Sequence, residues 1–220
     1  MEEVKMLSFW ASPFALRVIW ALKLKRIEFE TIEEDLPKKS NLLLQFNPIY
    51  KKVPVFLHNG KPICESLSII EYIDETWKQY PLLPQDPLDR AKARFWAKFG
   101  DDKVLKSAFY DTFVKQGKEQ EEGIASTMEN LKYLEDELVG KTYFGGEKIG
   151  LVDLSLGWVA CFISVWEEII GLKIIDQEKF PLVAQWIQEF SNDPIIQQNW
   201  PSRDRLVARF SAIRQSYLNK

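Results

Sequence analysis

The stretch KQYPLLPQDPLDR, residues 78–90, divides this 220-residue chain into two parts with different secondary-structure plans. Pro81, Pro84 and Pro87 each lack a backbone donor and fix φ, so no helix or strand interior runs through it. Before it, strand and helix signals alternate. VKMLSFW reads as a strand, and Ala15, Val18, Ile19 and Leu22 then give the i, i+3, i+4, i+7 face of a helix. IEFETIEE reads as a second strand, and a short helix is expected around Ser40 to Phe46. VPVFLHNGKPICES reads as a hairpin turning at Asn59-Gly60. Ser66 then caps a helix with Ile69, Ile70, Ile73 and Trp77 on one side. Beyond the prolines only helical periods occur: Ile124, Met128, Leu131, Leu134 and Leu138; Val183, Trp186, Ile187 and Phe190 behind Pro181; Leu206, Phe210, Ile213 and Tyr217.

The order β-α-β-α-β-β-α is the thioredoxin-like arrangement. The fold class is therefore α/β plus all-α: a thioredoxin-like domain at 1–78, a linker at 79–88 and an all-helical domain at 89–220. LVDLSLGWVACFISVWEEII, residues 151–170, could be mistaken for a membrane span. Asp153 and Glu167-Glu168 leave only Leu154 to Trp166 free of charge, short of the roughly 20 residues a span needs. It reads as a buried helix of a soluble protein, and MEEVKMLSFW is no signal peptide.

Composition narrows the chemistry. A net charge of −3 argues against a nucleic-acid groove, which needs a basic patch. One histidine, His58, leaves almost no material for a zinc site or a histidine-based triad. Cys64 and Cys161 sit in apolar surroundings far apart in sequence, as packed thiols of a reducing cytosol do.

In a thioredoxin-like domain the loop after the first strand carries the working group. Here it reads Ser12-Pro13-Phe14-Ala15, with no thiol of its own for disulfide exchange. Ser12 is either a helix cap or a hydroxyl held at a helix N-terminus, where an anion such as a cofactor's thiolate is favoured. Val53-Pro54 opens the hairpin; a cis bond there would free the Val53 backbone to pair with a peptide ligand, and a trans proline opening a strand is the alternative. Glu65-Ser66 is either a plain cap or a pair suited to an α-amino acid end group. Lys38-Lys39 and Lys51-Lys52 are either solvated surface or a carboxylate site.

Taken together, the stretches FWASPFALRVIWALKLK, NPIYKKVPVFLHNGKPICESLSIIEYID, ARFWAKFGDDKV and FGGEKIGLVDLSLGW, with the proline linker between, resemble the plant tau-class glutathione transferases over nearly the whole chain. The resemblance implies a glutathione site of Ser12, Lys39, Lys52, Val53, Glu65 and Ser66, with no metal. By it, Ser12 donates to the glutathione sulfur and the Val53 backbone pairs with the cysteinyl unit. Glu65 and Ser66 hold the γ-glutamyl end, and Lys39 and Lys52 the glycyl carboxylate. Family position further suggests Phe14, Leu36, Lys106, Tyr110, Phe113, Phe162 and Phe210 around an apolar co-substrate. It implies a cytosolic homodimer that joins the glutathione thiolate to apolar electrophiles, with peroxide reduction as a side activity. A non-catalytic carrier of apolar molecules is the alternative; a glutathione-dependent reductase would want cysteine where Ser12 stands. One departure concerns the long helix of the second domain. Many family members begin it with Ser/Thr-x-x-Asp, whereas Gly150-Leu151-Val152-Asp153 lacks the hydroxyl, leaving Asp153 to tie down the turn alone.

Overall fold

The structure is a computed structural model and describes residues 3–219. The described residues form two compact units, one ending at Leu83 and the other beginning at Pro84, divided within the proline stretch.

The first unit runs β1 (Val4–Ser8), α1 (Pro13–Leu24), β2 (Glu30–Glu33), a 3-10 turn (Leu36–Lys38), α2 (Asn41–Phe46), β3 (Val55–His58), β4 (Lys61–Cys64) and α3 (Ser66–Thr76). The sheet order is β2-β1-β3-β4. β1 and β2 are parallel, and the other two pairs are antiparallel. β1 is shorter than its apolar run because the chain turns at Phe9, whose carbonyl accepts the Ser12 N–H at 2.9 Å. The hairpin turns at Asn59 (φ 50) and Gly60 (φ 75), the paired positive dihedrals that match strand twist in a two-residue loop.

α1 is buried almost all round rather than on one stripe. Leu16, Trp20 and Ala21 are buried with Ala15, Val18 and Leu22, while Ile19 is only half-buried. Its C-terminal end is fixed by a fully buried lysine. Lys25 Nζ donates to the Trp77 and Gln79 carbonyls at 2.7 and 2.9 Å and lies 2.7 Å from Asp74. Asp74 also accepts the N–H groups of Leu82 and Leu83. With every donor used and its charge matched, burying this ammonium is tolerable.

The second unit contains α4 (Pro87–Phe99), two π-helical segments (Gly100–Val104 and Lys106–Phe113), α5 (Gly117–Glu137), α6 (Leu151–Ile170), α7 (Pro181–Asn192), α8 (Pro194–Gln198) and α9 (Arg203–Leu218). Of the α5 stripe, Leu131, Leu134 and Leu138 are buried as expected, whereas Ile124 and Met128 are half-buried and Gly123, Thr127 and Asn130 are buried with the leucines. Close approach to the π segment accounts for these additional buried positions. A Cβ at Gly123 would come within 2.0 Å of the Asp111 carbonyl oxygen. Thr127 bonds Thr112 at 3.1 Å, and Asn130 donates to Ser107 at 3.0 Å.

α6 is the buried helix expected from the charge-free run, and among the described residues no helix is long and apolar enough to cross a membrane. Asp153 does more than tie down one turn. One carboxylate oxygen accepts the Gly150 and Gly145 N–H groups at 2.8 and 3.1 Å. The other accepts the Phe144 N–H at 2.8 Å and the Trp186 indole at 2.9 Å.

Candidate functional site

Strand register brings the sequence-predicted residues together. Leu7 at the end of β1 pairs with Val55 at the start of β3, and Val55 pairs with Cys64 at the end of β4. Ser8 pairs with Glu33 at the end of parallel β2. The loop with Ser12, the Val53-Pro54 segment, the turn with Glu65 and the loop with Lys39 therefore all leave the sheet at one end. Lys52 precedes Val53 there. His58 pairs with Val4 at the opposite end, where its Nδ1 lies 2.6 Å from the Tyr72 hydroxyl. It is far along the strand from any chemistry at Ser12.

Ser12 is the cap of α1, and its Oγ accepts the Ala15 N–H at 3.2 Å. Capping occupies a lone pair and leaves the hydroxyl hydrogen to donate, so the two readings of this serine are compatible. The hydroxyl sits where the helix N–H groups converge, a place of positive potential.

The Val53-Pro54 peptide is cis. The ladder of β3 starts at Val55, so the Val53 N–H and C=O lie outside it. Asn47, 4% exposed, fixes the loop before it: its amide donates to the Lys52 carbonyl at 2.9 Å and accepts the Tyr50 N–H at 3.2 Å. The Asn-Pro dipeptide at 47–48 is the turn signal that could have identified this role.

Ser66 is the first residue of α3 rather than its cap. Glu65 takes the cap position, without a side-chain cap bond, at φ 70 and ψ 109. Such a backbone costs a non-glycine residue on the order of 1–3 kcal/mol, and it persists here with the Glu65 carboxylate exposed at the helix mouth. The Ser66 hydroxyl accepts from Arg17 Nε at 3.0 Å and Nη2 at 2.7 Å. Arg17, 2% exposed, also lies over the Phe14 ring at 5.0 Å. The guanidinium leaves the Ser66 proton free to donate and adds positive charge behind it, which favours a carboxylate at this helix start. Sequence reasoning missed Arg17, because an arginine among apolar residues of a helix ordinarily reaches solvent.

Lys39 and Lys52 are exposed, on the segments that leave the sheet at this end. Leu36 packs half-buried on the apolar cluster of Leu7, Leu43, Val53, Val55 and Leu57. Cys64 pairs with Val55 beside the site, and burial followed by the Glu65 charge holds its thiol above the usual range. Burial pushes the Cys161 thiol well up. Both are poor nucleophiles.

In the second unit, Phe113, Phe162 and Phe210 share one closed aromatic cluster with Trp166. Phe210 lies 5.9 Å from Phe113, 5.2 Å from Phe162 and 5.4 Å from Trp166, between ring centroids. All three phenylalanines are buried. Tyr110 and Lys106 are exposed on the neighbouring π segment, with Lys106 paired to Asp111 at 2.9 Å. The seven residues suggested around an apolar co-substrate are thus a buried cluster, an exposed pair, and Phe14 and Leu36 in the first unit.

Comparison with known proteins extends this geometry. Residues 2–75 match the glutathione S-transferase N-terminal domain, and residues 81–194 match the glutathione S-transferase C-terminal domain. A probable glutathione S-transferase of Glycine max is 50% identical over 98% of this chain and 96% of its own. The crystal structure of a tau-class glutathione S-transferase from mango, Mangifera indica, is 39% identical, with a TM-score of 0.90 over 96% of this chain and 98% of its own. A rice glutathione S-transferase solved in complex with glutathione is 33% identical, with a TM-score of 0.89 over 98% of both chains. With both domains matched in order and likeness of this extent, the chain belongs to the tau class of the glutathione S-transferase family.

Proposed function

We propose that Ser12 is the catalytic donor of this glutathione transferase, and that Lys39, Lys52, Val53, Glu65 and Ser66 hold glutathione around it. The observation that carries this reading is the common exit of their segments at one end of the sheet. The tripeptide's sulfur lies against the Ser12 hydroxyl, its cysteinyl amide against the free Val53 backbone, and its two carboxylate-bearing ends against Glu65-Ser66 and the lysines. The thiolate attacks an electrophilic carbon of an apolar co-substrate; a C–S bond forms, and a leaving group departs with its electron pair.

The chemistry asks little of the protein. A thiol of reference pKa about 8.5 must be mostly ionised near pH 7, which takes a preference of about 2–3 kcal/mol for the thiolate. One hydroxyl donor at a helix N-terminus supplies an amount of that order. No side-chain base is required, and the thiol proton leaves to water.

Phe14, Leu36, Lys106 and Tyr110 are proposed to touch the apolar co-substrate, with the buried Phe113, Phe162 and Phe210 contributing through packing only; the protein is proposed to act in the cytosol as a homodimer. The exposed apolar face of Leu88, Phe95 and Tyr133 on α4 and α5 supports self-association. Light scattering should give twice the monomer mass, and a monomer at micromolar concentration would exclude the dimer.

Reversing the end contacts tests the site. Lys39→Ala and Glu65→Ala should each raise KM for glutathione roughly tenfold with a smaller effect on kcat, as lost uniform binding does. Conjugation of an aryl halide at varied glutathione reads this directly. Parent-like KM in both variants would remove the assignment.

A further inference from the structure

β2 ends at Glu33, and a second carboxylate, Glu34, follows it directly. Glu33 is exposed and accepts the Trp10 N–H at 2.8 Å. Glu34 is 3% exposed, and among the described residues no cation pairs with it. Its donors come from Ser40: the hydroxyl at 2.6 Å to one oxygen and the backbone N–H at 3.1 Å to the other. The Ser40 hydroxyl in turn accepts the Leu43 N–H at 3.0 Å and caps α2. Glu34's own N–H donates to the Ser8 carbonyl at 2.8 Å, locking the strand end to β1.

A buried carboxylate without a cation is costly, and a core position would be filled better by an apolar side chain. What Glu34 adds is a clasp. It closes the loop from Glu34 to Ser40 across the 3-10 turn and pins the N–H and the hydroxyl of the residue after Lys39. Lys39 itself is exposed, and among the described residues its side chain has no hydrogen bond or ion pair, so the direction of its stem is set by the backbone that Ser40 anchors. A loop held before the ligand arrives spares the ordering cost of binding.

We infer that Glu34 is a positioning residue for glutathione, acting through Ser40 to aim Lys39 at the glycyl carboxylate. This rests on the reading of Lys39 above. The experiment is a double-mutant cycle on steady-state kinetics with an aryl halide. Glu34→Ala should raise KM for glutathione roughly fivefold or more, with kcat within about twofold of the parent. In a Lys39→Ala background the same change should move KM by less than about twofold, because the group it aims is gone. Glu30→Gln, an exposed carboxylate of the same strand paired with Lys5, is the charge control and should leave KM unchanged. Should Glu34→Ala fail to fold, Glu34→Met keeps most of the volume and loses both acceptors for Ser40; it enters the same cycle. A folded Glu34 variant with parent KM overturns the inference, as does an equal KM effect with and without Lys39. A parent that conjugates nothing would instead overturn the functional assignment, and an unchanged KM in Lys39→Ala alone would remove Lys39 and this inference together.

Discussion

Ser12→Ala is expected to lower kcat/KM for aryl-halide conjugation by roughly 100-fold or more, the usual loss when one preorganised donor to an anion is removed. Glutathione binding should change little, because Lys39, Lys52, Glu65 and Ser66 hold the ends of the peptide. Ultraviolet difference titration of the bound thiol should show its pKa rise. The variant also loses a helix cap, which costs about 1 kcal/mol of stability, since Ser12 Oγ accepts the Ala15 N–H. Ser12→Asp separates the two roles. It retains a good cap but offers no donor and sets a negative charge beside the sulfur, so it should fold as the parent does and conjugate no faster than Ser12→Ala. Ser12→Cys tests the direction of the side chain. Incubated with oxidised glutathione, its thiolate should displace one glutathione thiolate and form a mixed disulfide visible by mass spectrometry. A cap facing away from the ligand would leave conjugation near the parent rate in all three variants and yield no adduct.

The extent to which this site could be read beforehand follows from how each residue acts. Ser12, Val53, Glu65 and Ser66 stand at element boundaries, and boundaries carry local signals: a proline in the first turn, an X-Pro step, the end of an apolar strand. Arg17 and Lys25 carry none. Arg17 lies among apolar residues of a helix and Lys25 in a short basic stretch at its end, and only the chain folding back brings Ser66 to one and Asp74 with two carbonyls to the other. Glu34 is similarly silent, as one of two adjacent acids whose burial depends on how the chain leaves β2. In the helical unit the large apolar residues of α5 mark part of its buried face, Leu131, Leu134 and Leu138. Gly123, Thr127 and Asn130 complete it by closeness and hydrogen bonding to a π segment that has no sequence signature.

Asp153→Ala is expected to be the most destabilising single change in the helical unit, above about 4 kcal/mol or sufficient to abolish soluble protein. Three backbone N–H groups and the Trp186 indole converge on this carboxylate. Each donor left unsatisfied in the interior costs about 1–3 kcal/mol. A hydroxyl cap would have satisfied one end of α6 independently; with Gly150 in that position the turn from Phe144 to Gly150 and the start of the helix depend on one side chain. Asp153→Asn keeps the shape but turns an amide –NH2 toward one pair of donors, so it should cost about half as much. The urea midpoint at pH 7 reads both variants, and a loss under about 1 kcal/mol in Asp153→Asn would show that the network contributes little. Acidity supplies a second reading. Burial pushes the Asp153 carboxyl up to about 6, against the opposing pull of its four donors. The unfolded value is near 3.9, so the folded state binds this proton more tightly, and the linked stabilisation is fully present below about pH 4 and lost as pH rises through about 6. The asparagine variant has no such titration. Its deficit relative to the parent should therefore be larger at pH 5 than at pH 7, by about 1 kcal/mol. A deficit that shrinks on acidification would mean that the four donors hold the carboxylate ionised in the folded protein more firmly than burial opposes it.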